Sequence, residues 1–249
     1  VLDCGNGPCF KPAESARGRG YGAFCIENGF DMTLKLVIGN KNYSSWSMRP
    51  WLALRANNIP FEEIFIPLYT GAADKQRILD FSRSGKVPIL VDGDVAVWDS
   101  LAIIEYIAER FPEKGLWPEH PAHRAHARSV SAEMHSGFAA LRNECGMNLH
   151  RPIGAIELSA EARANIARVE EIWGECRDRY GQSGPFLFGN FGAADAMFAP
   201  VVHRFRSYAV AVTRATQRYM DTMMALPAFA EWTKAGLAET IVIEKFETV

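Results

Sequence analysis

The sequence predicts an α/β domain followed by an all-helical one, and three observations carry that prediction. Between Leu34 and Phe111 short apolar runs alternate with stretches of helical periodicity in the order βαβαββα. Within that stretch Asp92-Gly93-Asp94 stands between two apolar runs, a strong hairpin signal. Beyond Pro121 the periodicity is helical almost to the end.

Taken in order, residues 34–38 read as the first strand. Residues 46–57 follow with Met48, Trp51, Leu52 and Leu54 on one helical face, and residues 61–67 are apolar enough for a second strand, which completes a βαβ unit. A polar helix is expected around 74–82. Residues 87–91 and 95–97 are the two strands of the hairpin. Asp99 and Ser100 are cap residues written in front of the next helix. This order is that of a thioredoxin-like domain, assigned to residues 32–111, with a Pro- and Gly-containing link at 112–120. Residues 121–249 are assigned to the all-α domain, with helices over 122–148, 159–180, 193–210, 214–225 and 228–239. The last few residues are the only strand-like ones after the link.

A chain of 249 residues with 48% hydrophobic content can build a proper core for each domain. The formal net charge of -2, with no dense Lys/Arg stripe, argues against nucleic acid or an anionic membrane as the main partner. No apolar run approaches the roughly 18 to 20 residues that span a bilayer, and no signal-peptide order opens the chain, so the cytoplasm is the expected location. Cys4, Cys9, Cys25, Cys145 and Cys176 contain no CxxC pair, which indicates neither a disulfide framework nor a zinc site. Residues 1–31, glycine-rich and without periodicity, read as a disordered or non-native extension. Met32 then opens directly into a strand, as a natural start would.

In a thioredoxin-like domain chemistry sits between the first strand and the first helix. Here that junction is Ser44-Ser45-Trp46-Ser47, and hydroxyls at this spacing cannot exchange disulfides. A hydroxyl at a helix N-terminus either caps the free N–H groups or donates to an anion held there. Proline at Val87-Pro88 marks an edge, a bulge or a cis bond, and a cis bond leaves the Val87 backbone free to pair with an extended ligand. Asp99-Ser100 is either a plain N-cap or a site for a ligand carrying one amino and one carboxylate group.

Four motifs in order then carry a resemblance: Ser44-Ser45-Trp46-Ser47-Met48-Arg49, Gly85-Lys86-Val87-Pro88-Ile89-Leu90, the run from Asp99 to Ile107, and Gly189-Asn190-Phe191-Gly192-Ala193-Ala194-Asp195. Residues 34–239 resemble a cytosolic glutathione S-transferase of the serine-dependent, bacterial-like kind, related to the zeta and theta classes. The resemblance implies that Ser44 contacts the sulfur of glutathione, with Ser45 standing where many members have proline. Ser44 and Ser45 are therefore the catalytic candidates, and the choice among Ser44, Ser45 and Ser47 stays open. It further implies that Val87 and Pro88 pair with the cysteinyl part, that Asp99 and Ser100 hold the γ-glutamyl end, and that Lys86 meets the glycyl carboxylate. Glutathione is the implied cosubstrate, a hydrophobic electrophile the second substrate, and a homodimer the implied assembly; no metal is implied. Glutathione-dependent cis–trans isomerisation of a maleyl-type diacid is an alternative, against which Trp46 counts because that class has cysteine there. A non-catalytic binding protein of the same fold is another.

The magnitudes fit. A free thiol with a pKa of about 8.5 needs roughly 2.7 kcal/mol of preferential anion stabilisation to fall by two units. One charge-assisted hydrogen bond, about 1.5 to 3 kcal/mol, plus a helix N-terminus supplies that. The second-substrate pocket is expected between the domains, lined by Met134, His135, Phe138, Leu141 and Arg142, with Arg206 and Tyr208 as further candidates. Asp195 is expected to be structural, reaching back to the Gly192 N–H in a capping arrangement that lacks its reciprocal side-chain bond. His120, His123 and His126 read as exposed helix histidines, since their spacing differs from that of a metal-binding pair.

Overall fold

Four strands form one mixed sheet in the order β2-β1-β3-β4 in the computed structural model, which describes residues 33–247. The elements run β1 (Leu34–Ile38), α1 (Ser45–Ala56), β2 (Phe61–Phe65), α2 (Ala72–Phe81), β3 (Ile89–Asp92), β4 (Val95–Trp98) and α3 (Ser100–Arg110). β1 pairs parallel to β2 and antiparallel to β3, and β3 and β4 form the hairpin around Gly93. This is the expected thioredoxin-like order. What was expected of residues 1–31 lies outside the described residues.

The period of two along β1 decides what each face of the sheet meets. Leu34, Leu36 and Ile38 join a core shared with α1, α3 and the helices that follow. Val37 points the other way, into a smaller cluster with Ile66, Ile78 and Ile89 beneath α2. The helical part comprises α4 (Pro121–Ser136), α5 (Ala139–Glu144), α6 (Ala160–Tyr180), α7 (Ala193–Ser207), α8 (Arg214–Ala225) and α9 (Pro227–Leu237). α7 is buried from Ala193 to Phe205, and the small side chains of Ala193, Ala196 and Ala199 let α1 and α4 pack close to it. Trp173 closes this core against Phe198, Phe205 and Tyr219.

Two expectations differ from the structure. The helix expected over 122–148 breaks at Gly137–Phe138, where Phe138 takes a left-handed φ of 60° and buries its ring. The Arg142 guanidinium stabilises the break, its Nη2 donating to the carbonyls of Met134, His135 and Gly137 at 2.7 Å each. Near the C-terminus a 3-10 turn, Glu244–Phe246, replaces the expected strand character. That segment rests on the loop after β1, with the Ile243 N–H donating to the Tyr43 hydroxyl at 3.4 Å, so its apolar residues serve packing and not a sheet edge. No helix among the described residues is long and apolar enough to cross a membrane.

Candidate active site

The loop from Gly39 to Ser44 is pinned by partners far away in sequence. Glu239 accepts the N–H groups of Lys41 and Asn42 at 2.6 and 3.1 Å, and Asn42 Oδ1 accepts that of Leu149 at 2.6 Å. Asn40 accepts the Ser44 N–H on its carbonyl at 2.7 Å and the Leu68 N–H on Oδ1 at 2.9 Å. Gly236 permits this approach of α9: a Cβ there would lie 3.2 Å from the Lys41 carbonyl carbon. Ser44 is thereby delivered as the N-cap of α1, its Oγ accepting the Ser47 N–H at 3.2 Å.

The three serines differ in where they point. Ser44, 7% exposed, lines a cavity of about 740 Å³ together with Tyr43, Trp46, Lys86, Val87 and Phe246. Ser47 is fully buried and accepts the Gly39 N–H at 3.1 Å. Ser45 Oγ accepts from Arg204 Nη2 at 3.4 Å. A second cavity, of about 590 Å³, shares Trp46, Lys86 and Val87 with the first and extends to Pro88, Asp99, Ser100 and His135. The Val87–Pro88 bond is cis. The structure thus brings Ser44, Lys86, Val87, Pro88, Asp99 and Ser100 to two adjoining cavities.

Asp99 adopts φ 78° and ψ 134°, a conformation that costs a non-glycine residue about 1 to 3 kcal/mol. In it Oδ1 caps α3, accepting from the Leu101 and Ala102 N–H groups at 2.9 and 3.3 Å. Oδ2 meets His135 Nε2 at 3.2 Å. Burial holds the His135 imidazole below its usual pKa, with Asp99 pulling the other way, so a neutral ring donates to the carboxylate near neutral pH. Ser100, almost wholly buried, accepts from Arg49 Nη1 at 3.3 Å.

Three arginines surround this floor. Arg49 and Arg142 both lie over the Trp46 ring, their guanidinium carbons 4.5 and 5.0 Å from its centroid. Arg204 donates to the carbonyls of Arg142, at 3.1 Å, and of Cys145. Burial, with repulsion from the other two arginines, pushes Arg49 down to about 9; burial pushes Arg204 to about 10 and lowers Arg142. All three remain charged at neutral pH.

Of the residues expected to line a second-substrate pocket, His135 borders the cavity with Asp99 and Ser100. Met134, Phe138 and Leu141 are buried in the core, and Arg142 is engaged with carbonyls and the Trp46 face. Arg206 borders a separate cavity of about 460 Å³ beside α9, and Tyr208 is buried with Arg151 over its ring. Of the histidines expected to be exposed on a helix, only His120 is exposed, and it precedes α4; His123 and His126 are half-buried because their rings pack, tilted, against Tyr180, and His120 packs against His123. Asp195 accepts from the Gly192 N–H on Oδ2 and from Leu187 N–H and the Tyr219 hydroxyl on Oδ1, at 3.0, 3.0 and 2.9 Å. Burial raises its pKa to about 6 against these three donors.

Sequence reasoning missed Tyr43, Tyr69 and Phe246 as cavity walls and Arg49 and Arg204 as charges near the site. Arg49 had a signal, since it lies in the first turns of α1 behind Ser44. Phe246, some 200 residues away, had none.

Comparison with known proteins matches residues 43–110 to the glutathione S-transferase N-terminal domain and residues 159–235 to the glutathione S-transferase C-terminal domain. Together these stretches span more than half of the chain. It belongs to the glutathione S-transferase family. Glutathione S-transferase 1 of Dianthus caryophyllus is 29% identical, aligned over 68% of this chain and 77% of the relative. The maleylacetoacetate isomerase of Pseudomonas aeruginosa is 27% identical over 83% of this chain and 99% of the relative. A glutathione transferase homolog from Burkholderia, crystallised with bound glutathione, shares the fold with a TM-score of 0.64 at 21% identity, over 83% of this chain and all of that one. The glutathione S-transferase fold here is thus a thioredoxin-like domain followed by an all-helical one.

Proposed function

We propose that this chain is a glutathione transferase that holds the glutathione sulfur as a thiolate at Ser44 and presents it to a hydrophobic electrophile. One observation carries the reading: the Ser44 hydroxyl sits at the N-terminus of α1, on the wall of the cavity that also holds Lys86 and Val87. The helix end and the Ser44 O–H then stabilise the anion. The thiol proton leaves to solvent, the sulfur forms a bond to the electrophilic carbon, and the leaving group departs with its electron pair. Serine stays protonated and forms no covalent intermediate. Val87 and Pro88 align the cysteinyl backbone, Asp99 and Ser100 take the γ-glutamyl end, and Lys86 faces the glycyl carboxylate.

Tyr43, Tyr69 and Phe246 bound the Ser44 cavity on its apolar side and are the proposed wall for the electrophile. His135 belongs to the γ-glutamyl end in this reading, and Met134, Phe138 and Arg142 shape the floor from behind. A cytoplasmic homodimer is the proposed working form. Thioether formation from glutathione and an activated aryl chloride tests the reading: turnover by the wild type that Ser44→Ala lowers about a hundredfold is expected. Wild-type turnover no faster than the uncatalysed reaction removes it.

A second reading is cis–trans isomerisation of a maleyl-type diacid with glutathione as the added and expelled nucleophile. The guanidinium groups of Arg49, Arg142 and Arg204, lying behind Ser100, Trp46 and Ser45, bias the potential of the site towards an anion, and the Pseudomonas aeruginosa relative bears the isomerase name. Appearance of the trans-diacid with no net consumption of glutathione separates this reading from conjugation, which consumes one thiol per product.

A further inference from the structure

We propose that Lys245 makes the electrophile pocket select aromatic electrophiles that carry an anionic substituent. The inference rests on the transferase reading above and names the class of its second substrate.

The Ser44 cavity combines an aromatic lining with positive charge. Tyr43, Tyr69 and Phe246 line it with Leu68 and Ile78, the Phe246 ring lying 5.6 Å from that of Tyr43 and 5.8 Å from that of Tyr69. Lys75 and Lys86 line it too, and no Asp or Glu does. Lys75 Nζ donates to the Gly85 carbonyl at 2.5 Å, and Lys86 is assigned to the glycyl carboxylate of glutathione. A third ammonium then stands at the aromatic wall. Lys245 belongs to the C-terminal 3-10 turn, and its Nζ lies 3.1 Å from the Tyr69 ring centroid and 4.7 Å from that of Phe246.

This lysine has no acid of its own. Among the described residues no carboxylate lies within ion-pair distance of its Nζ, and no acceptor takes any of its three N–H donors. Glu247, two residues on, is occupied: its Oε1 accepts from the Tyr43 hydroxyl and from Asn148 Nδ2, the latter at 3.1 Å. An ammonium resting on an aromatic face keeps the donors on its other side for an anion. A substrate ring stacked on Phe246 brings a carboxylate or sulfonate substituent within reach of Nζ on its flexible stem. The thiolate at Ser44 attacks the ring carbon that bears chlorine, the carbon–sulfur bond forms, and chloride leaves with its electron pair. The anionic substituent takes no part in these bond changes. Lys245 therefore binds substrate and transition state alike, and its effect falls on KM.

The test compares para-chloro-meta-nitrobenzoate with the corresponding benzamide, which differ in charge at one end of the same ring. A carboxylate withdraws electrons less than a carboxamide, so each kcat/KM is divided by the rate constant of the uncatalysed reaction with glutathione. The wild type is expected to favour the benzoate about threefold to fivefold, the upper range for one exposed charge pair, and to favour it less as salt is added. Lys245→Met is expected to bring the ratio close to one through a raised KM for the benzoate, and Lys245→Arg to keep the preference. An unchanged ratio in Lys245→Met overturns the proposal. So does a raised KM for glutathione in that variant, which moves the lysine to the cosubstrate. Equal normalised turnover of the two compounds by the wild type overturns this inference alone. Turnover of neither above the uncatalysed rate removes the transferase reading together with it.

Discussion

Ser44 Oγ lies 2.8 Å from Ser47 Oγ, and Ser47 Oγ also accepts the Gly39 N–H. Either hydroxyl can donate to the other. When Ser47 donates, Ser44 Oγ accepts two bonds, one from the Ser47 hydroxyl and one from the Ser47 N–H. Its own proton is then free for an anion in the cavity, and polarisation along the chain makes it a stronger donor. A cap and an anion-stabilising donor are thus compatible roles for the same serine.

Ser44→Ala is therefore expected to raise the pKa of the bound thiol by about one to two units, read from thiolate absorbance against pH. The stability cost is that of a lost cap, about 1 kcal/mol. Ser47→Ala should show the opposite balance: it strands a buried Gly39 N–H, costs about 1 to 3 kcal/mol in denaturant titrations, and shifts the thiol less. Equal thiol shifts in the two variants would contradict the assignment of the donor to Ser44.

Asp195→Ala leaves three donors, Leu187 N–H, Gly192 N–H and the Tyr219 hydroxyl, without their acceptor in a buried setting. The expected loss is about 3 kcal/mol or more, measured at pH 7.5 by urea denaturation. Glutathione affinity of the folded fraction should change by less than about twofold. A loss of affinity without loss of stability would place Asp195 in the site instead.

The fold was legible where periodicity was strong and local. β1 to α3, the Gly93 hairpin and the Ser159-capped α6 all follow from alternation, helical spacing and caps. The break at Phe138 was not legible, because the Arg142 side chain that stabilises it comes from the next helix and leaves the apolar spacing undisturbed. In the site, Ser44, Val87, Pro88, Asp99 and Ser100 sit at element boundaries, where cap residues and proline announce themselves in sequence. The walls did not. Phe246 and Tyr69 reach the cavity through tertiary packing, with their rings 5.8 Å apart, and residue spacing carries no record of that.

Phe246→Ala tests that wall. It should raise KM for an aromatic electrophile about threefold to tenfold while leaving glutathione affinity nearly unchanged, since one aromatic contact is worth about 0.5 to 1.5 kcal/mol. An unchanged KM with a weakened glutathione Kd would move Phe246 to the cosubstrate end of the cavity.

His203 is buried, stacked on Phe229 at 4.4 Å, and burial pushes its pKa down to about 3 from 6.5. The unfolded chain takes up a proton below pH 6.5 that the folded one refuses, so stability falls as pH drops from 6.5 towards 3. The full contribution is on the order of 5 kcal/mol, present above pH 6.5 and lost progressively towards pH 3. His203→Phe should remove this dependence, read as a flatter Tm between pH 6.5 and 4 than the wild type shows. Asp195 acts with the opposite sign, its raised pKa reducing stability as pH rises from about 4 to about 6, and it cancels in the comparison of the two proteins. Parallel Tm curves would contradict the account.

The proposed activity requires that the site bind glutathione and ionise its thiol. The most direct measurement is calorimetric titration of glutathione into the protein near neutral pH, in buffers of different ionisation enthalpy. Binding with release of roughly three-quarters of a proton is expected for the wild type, and of less for Ser44→Ala. Binding without proton release, or no binding at millimolar glutathione, would contradict it.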